Sequence, residues 1–215
     1  MLYQVSPDDM SANGRAEYLK EDQKRRESVE RRAELGRDLQ KQKHLVTEEE
    51  YVVLQRLVTE PDRLGRGQAD TLKSPAAVES GLYLVEAALK EARAARMMAI
   101  IGRDEYYEVE LAKAKAGREN LALQRQQHRA RCKTKKELKK FMDMERYYGT
   151  DVVQLKLDNL RESDKDFLFI FNGPMLDLIH ALQETELSLS ARQATIPGGM
   201  TAALARPSIR ATLAH

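Results

Sequence analysis

The sequence is short of most things that build a compact core. Its 215 residues include no tryptophan, four phenylalanines and eight tyrosines, so aromatic side chains make up only 6% and large hydrophobic anchors are scarce. A single cysteine, Cys132, excludes an intramolecular disulfide, lacks the His and Cys neighbours of a zinc site, and points to a reducing compartment. Within the basic run around it, Cys132 reads as an incidental exposed thiol rather than a redox centre. The most apolar stretch, Phe167-Leu168-Phe169-Ile170-Phe171, falls far below the ~20 residues of a membrane-spanning helix. No signal peptide or mitochondrial presequence is read at the N-terminus, where two aspartates stand in place of a basic region followed by an apolar run. The expected location is therefore cytoplasmic. Net charge is scarce too: 36 Lys and Arg against 34 Asp and Glu leave +2, which excludes a global polycation.

What the chain does have is interleaved charge, at 33% of residues, set among Ala, Leu, Gln, Lys, Arg and Glu. That vocabulary favours long solvent-washed helices over a disordered polyelectrolyte. Prolines stand at 7, 61, 75, 174, 197 and 207, and each breaks helical hydrogen bonding. Residues 76–173 contain none. The sequence therefore predicts an all-α, elongated architecture of long helices with coiled-coil segments: an extended N-terminus over 1–11, N-terminal helices over 12–60, a linker over 61–74 and a long coiled-coil helix over 75–163 that bends near Gly149. A small helical hairpin over 164–190 and an extended tail over 191–215 complete it.

Local signals place these elements. A helix from about Ala12 to Lys43 carries too thin an apolar stripe to anchor itself in a globule. Thr47-Glu48-Glu49-Glu50-Tyr51 is a capping box, with Thr47 and Glu50 exchanging bonds across the first turn, and Ser74-Pro75 is a second helix start. Val78, Leu82, Val85, Leu89 and Ala92 follow at spacings of 4, 3, 4 and 3, which is heptad periodicity. Asn172-Gly173-Pro174 reads as a turn that folds a last helix, with Ile179 and Leu182, back onto the phenylalanines.

Catalytic chemistry finds little support, because thin helices do not enclose a pocket. His180 and Glu184, at i,i+4, supply two ligands where a metal needs three or four, and Gly65-Arg66-Gly67 lacks the strand and the Lys-Ser/Thr ending of a phosphate loop. No catalytic residue, cofactor or metal is expected. The strongest charge signal is the segment from Lys113 to Arg146, where twelve cations face four carboxylates. It implies an acidic partner: an acidic face of another coiled coil, a polymer lattice such as a microtubule, RNA or an anionic membrane. Within it, Leu123-Gln124, His128 and Lys133 fall at roughly the spacing of a calmodulin-binding motif.

The stretch from Thr47 onward resembles a coiled-coil segment in the tails of motile-cilium kinesins. The residues that carry the likeness are Thr47-Glu48-Glu49-Glu50-Tyr51, Arg56-Leu57, Ala76-Ala77-Val78 and Leu84-Val85-Glu86, about 40 of 215 residues. It implies a ciliary or axonemal coiled-coil protein, with no motor domain in this chain.

These readings converge on a non-enzymatic structural subunit of a large cytoskeletal assembly, microtubule-associated and ciliary, held in a hetero-complex with scaffold proteins and not with membrane. Val78, Leu82, Val85 and Leu89 are the expected partner-helix interface, and Phe167, Phe169, Phe171 and Ile179 the docking knob. Arg129, Arg131, Lys135, Lys136 and Lys139 are expected to bind the acidic surface. The alternatives are an RNA-associated helical subunit of a ribonucleoprotein and an adaptor for a calmodulin-like protein.

Overall fold

The computed structural model describes residues 6–63, 67–148 and 152–196, with side chains over 6–63, 67–143 and 158–196. Among the described residues every regular element is helical and no strand occurs. In order these are α1 (Ala12–Lys41), α2 (Glu48–Thr59), α3 (Pro75–Arg131), α4 (Lys135–Tyr148), α5 (Val152–Asp166), a π-helical segment (Phe167–Asn172) and α6 (Gly173–Thr195), with short 3-10 turns between. No helix among the described residues is long and apolar enough to cross a membrane.

The chain divides into two compact units, Leu19–Met98 with Pro174–His215 and Met1–Tyr18 with Ala99–Gly173. In the first, the opening turns of α3 form the central rod. Ala77, Val78, Leu82, Leu84, Val85, Ala88, Leu89 and Ala92 are buried over a broad stripe of it, against Leu39 of α1, Val53, Leu54 and Leu57 of α2, Leu72, and Ile179, Leu182 and Leu189 of α6, while Glu79, Tyr83, Lys90 and Arg93 stay exposed. A wide apolar stripe of this kind needs cover from more than one neighbouring helix. Gly81 lets the packing close, since a Cβ there would stand 2.8 Å from Leu72 Cδ1 and 3.2 Å from Leu189 Cδ1. The connection over 67–74 is tied to α6 by Arg192, whose guanidinium donates to the carbonyls of Ala69 at 2.7 Å and Leu72 at 3.1 Å and to the Asp70 carboxylate. On the other side, Arg32 of α1 pairs with Glu91 of α3 at 2.9 Å.

Helix starts in both units are closed by a carboxylate from another helix. Glu50, 3% exposed, completes the expected box with Thr47, accepting its amide at 2.9 Å while Thr47 Oγ1 accepts the Glu50 amide at 3.3 Å. The same carboxylate accepts the amides of Lys73 at 2.8 Å and Ser74 at 2.7 Å and the Ser74 hydroxyl at 3.0 Å, so it also closes the N-terminus of α3. Burial by itself would raise its carboxyl, but these bonds outweigh that and hold its pKa down at about 2. In the second unit Glu105 plays the equivalent part for α1, accepting the Ser11 amide at 2.8 Å while Ser11 Oγ accepts the Gly14 amide at 3.1 Å. A Cβ on Gly14 would overlap that carboxylate.

Several expectations need correction. The heptad seam of Val78, Leu82, Val85 and Leu89 is no open interface, because its members are at most 3% exposed within the chain's own core. The shortage of apolar residues is overcome there by concentrating them: alanines and one glycine let few large side chains interlock. The expected turn at Asn172-Gly173-Pro174 is absent, and so the chain does not fold back there as a hairpin. The backbone instead passes from α5 through the π-helical segment into α6 without leaving helical conformation. A proline inside a helix removes one donor and collides with the carbonyl four residues earlier, and a wider π turn moves that carbonyl aside. Gly173, whose amide donates to the Leu168 carbonyl, fits this turn because a Cβ would stand only 3.2 Å from that oxygen. Conversely, the long helix stops earlier than expected, at Arg131, and α4 begins after Cys132-Lys133-Thr134. The bend near Gly149 and most of the tail lie outside the described residues.

Candidate functional site

The break between α3 and α4 is built by a second, unforeseen capping box. Thr134 Oγ1 accepts the Glu137 amide at 3.2 Å, and the Glu137 carboxylate accepts the amides of Lys133 at 3.0 Å and Thr134 at 3.3 Å. The signal was legible as Thr134-x-x-Glu137 but was masked by the surrounding helix formers. Phe141 of α4 turns back onto His128 of α3, ring centroids 4.4 Å apart, which fixes the elbow. His128, Arg131, Cys132, Glu137, Lys140 and Phe141 line an open groove of about 410 Å³ at this point.

Around that elbow the expected acidic-surface residues come together. Arg129, Arg131, Lys135, Lys136 and Lys139 are all exposed, as are Lys133 and Lys140. Among the described residues no ion pair neutralises Arg131, Lys133, Lys135, Lys136, Lys139 or Lys140. Elsewhere the chain pairs its charges on nearby turns, as in Lys113–Glu110 at 3.1 Å and Lys165–Glu162 at 2.7 Å. Leu123, 53% exposed, and Met142, 51% exposed, add apolar surface to this basic segment. The result is an exposed set of unneutralised cations on a segment that also exposes apolar side chains, suited to an anionic surface with some greasy relief.

The docking-knob residues fall into both units, Phe167, Phe169 and Phe171 in one and Ile179 in the other. Phe167 is buried, stacks on Phe171 at 5.6 Å and lies under the Arg103 guanidinium at 5.2 Å, with Arg103 also paired to Asp164 at 3.4 Å. Burial and then the Asp164 charge raise the nearby Tyr107 hydroxyl above its ordinary pKa. Phe169 points outward, 87% exposed, between Leu168 and Ile170, which are 46% and 66% exposed. Ile179 belongs to the core of the other unit.

The remaining candidate residues form no metal or calmodulin-type site among the described residues. His180 and Glu184 are exposed on α6, and no group of three or more His, Cys, Asp or Glu among the described residues could hold a metal ion. Leu123-Gln124 and His128 lie on α3, but that helix ends before Lys133, so the calmodulin-type spacing does not run along one helix. The described residues between Thr47 and Glu86 fold as α2, two short 3-10 turns and the start of α3, and Leu54, Leu57, Val78 and Val85 among them are core residues. Compared with known proteins, the chain matches no family model, no curated protein and no solved structure.

Proposed function

We propose that this protein is a non-enzymatic helical subunit of a cytoskeletal assembly, which binds an acidic surface through the basic elbow between α3 and α4. One observation carries the reading: six cations, Arg131, Lys133, Lys135, Lys136, Lys139 and Lys140, share one exposed junction with no neutralising partner among the described residues. Holding like charges together costs free energy, and a surface that concentrates carboxylates or phosphates offsets that cost. The ciliary version of this proposal, with a microtubule lattice as the acidic surface, is supported by the kinesin-tail vocabulary of Thr47 to Glu86 alone.

RNA would satisfy the same cations, but single-stranded RNA also needs aromatic faces on which bases stack. Phe141 is half-buried and engaged with His128, which favours a protein surface. Fractionation separates the two. The proposed protein stays with detergent-extracted cytoskeleton, comes off in high salt and is indifferent to RNase. Release by RNase at low salt establishes the nucleic-acid reading in its place, and complete extraction by detergent alone defeats both.

A further inference from the structure

Ser28, Thr59, Thr134 and Thr195 each follow an arginine by three residues, an offset read by basophilic protein kinases, whose acidic pockets hold guanidinium groups upstream of the acceptor. Of the four only Thr134 has a second arginine five residues before it. Ser28 follows Arg25 and Arg26 at three and two residues. It is 6% exposed in the middle of α1, and its hydroxyl donates to the Lys24 carbonyl at 2.8 Å. Thr134 follows Arg129, Arg131 and Lys133 at five, three and one residues. Thr134 and Lys133 are exposed and lie between two helices, in a segment with no regular secondary structure.

A kinase takes its substrate as an extended strand, so a site must open cheaply. Around Thr134 few bonds hold the backbone: the Lys133 and Thr134 amides to Glu137, both exposed, the Cys132 amide to the Arg129 carbonyl at 3.2 Å and the Leu138 amide to the Thr134 carbonyl at 3.1 Å. Bonds of that kind open locally at little cost, while freeing Ser28 would require unfolding the middle of α1.

We propose that Thr134 is the phosphate acceptor of a basophilic serine/threonine kinase, and that its modification turns off the basic elbow. In the transfer, Thr134 Oγ forms a bond to the γ-phosphorus of ATP as the bond from that phosphorus to the β-bridging oxygen breaks. The hydroxyl proton passes to the kinase's catalytic carboxylate, and the products are phosphothreonine and ADP. Residues 129–143 hold seven cations and two carboxylates, a net +5. A phosphate adds about −2 at neutral pH and offers oxygens to which Lys133, Lys135 and Lys136 turn instead of to a partner. The switch rests on the functional reading above, whereas the acceptor assignment does not.

The test uses the full chain with MgATP and a purified kinase that requires arginine three and five residues before the acceptor. One phosphoryl group should map to Thr134, vanish in T134A, return in T134S and fall roughly tenfold in the R129Q/R131Q double variant, since each lost guanidinium contact weakens recognition. Labelling at Ser28 instead, or undiminished labelling of R129Q/R131Q, overturns the assignment. The modified and unmodified chains are then eluted from polyglutamate resin with a salt gradient. Elution of the phosphorylated form at clearly lower salt supports the switch, and identical elution overturns it. Failure of the unmodified chain to bind defeats the functional reading and the switch together, while the mapped acceptor stands.

Discussion

The Glu50 carboxylate in the first turn of α2 accepts the backbone amide of Ser74 at 2.7 Å and so closes the start of a different helix, α3. Residues 24 apart in sequence thereby share one cap. A helix N-terminus leaves unsatisfied amides, which a side chain of the same turn ordinarily meets. Here one buried anion meets those of two helices, tying the start of α2 to the start of α3. In the other unit Glu105, in the middle of α3, closes the start of α1 alone, accepting the amide and hydroxyl of Ser11.

Replacing Glu50 with Gln should be costly. An amide keeps the shape but places two donors among groups that are all donors, so part of the cluster loses its acceptor. A loss of about 2–4 kcal/mol is expected in chemical denaturation, against about 1 kcal/mol for Thr47→Ala, which removes only one cap. An equal loss in both variants would show that Glu50 serves α2 alone.

Acid should reveal the same group. A carboxyl whose folded pKa lies below its unfolded one stabilises the fold above the unfolded value, and that contribution fades as pH falls toward the folded value. With Glu50 held at about 2, the window runs from about pH 4.5 down to about 2, and the contribution at neutral pH is up to about 3 kcal/mol. The wild-type chain should lose stability through this window more steeply than Glu50→Gln. Parallel acid curves for the two would remove Glu50 from the account.

Much of this was legible before any coordinates. Thr47-x-x-Glu50 and Ser74-Pro75 announce the helix starts because capping is local chemistry, and the basic cluster follows directly from composition. What escaped depends on tertiary partners. The 4-3-4-3 spacing of Val78 to Leu89 says that a face will be covered, but the same spacing serves α2 and α6 of the same chain as well as a foreign helix. Asn172-Gly173-Pro174 has turn vocabulary, yet a π-helical segment accommodates the proline without reversal. Thr134 was overlooked because the helix formers on either side hid a three-residue break.

Gly81→Ala should destabilise although alanine is the better helix former. The helix gains about 1 kcal/mol in propensity, but the new methyl meets Leu72 Cδ1 at 2.8 Å and Leu189 Cδ1 at 3.2 Å, and overpacking of that kind costs about 1–3 kcal/mol. A net drop in the unfolding midpoint is expected. At Gly102, where a Cβ meets nothing within 4 Å, the same exchange should stabilise.

Hydrophobic residues singled out together should behave oppositely. Leu82→Asp puts an unpaired charge at a site 1% exposed and should cost about 3–5 kcal/mol, visible as loss of cooperative unfolding. Phe169→Ser alters a side chain 87% exposed and should shift stability by no more than about 0.5 kcal/mol. A large loss from the second exchange would mean that Phe169 is covered in the free protein.

Binding through the elbow should carry the signature of released counterions. Each cation that neutralises a charge on an acidic polymer displaces condensed ions, so affinity falls linearly with the logarithm of salt, by about one unit of slope per contact. Reversing Lys135 and Lys136 to Glu should weaken binding to an acidic polymer and make that slope shallower by about two. Both side chains are exposed, so the variant should unfold like the parent chain, and lost binding would not be lost structure. The same reversal at Lys20 and Lys24 of α1, a control with equal change in net charge, should leave the slope nearly unchanged. If both pairs reduce the slope alike, attraction depends on total charge and the elbow is not the site.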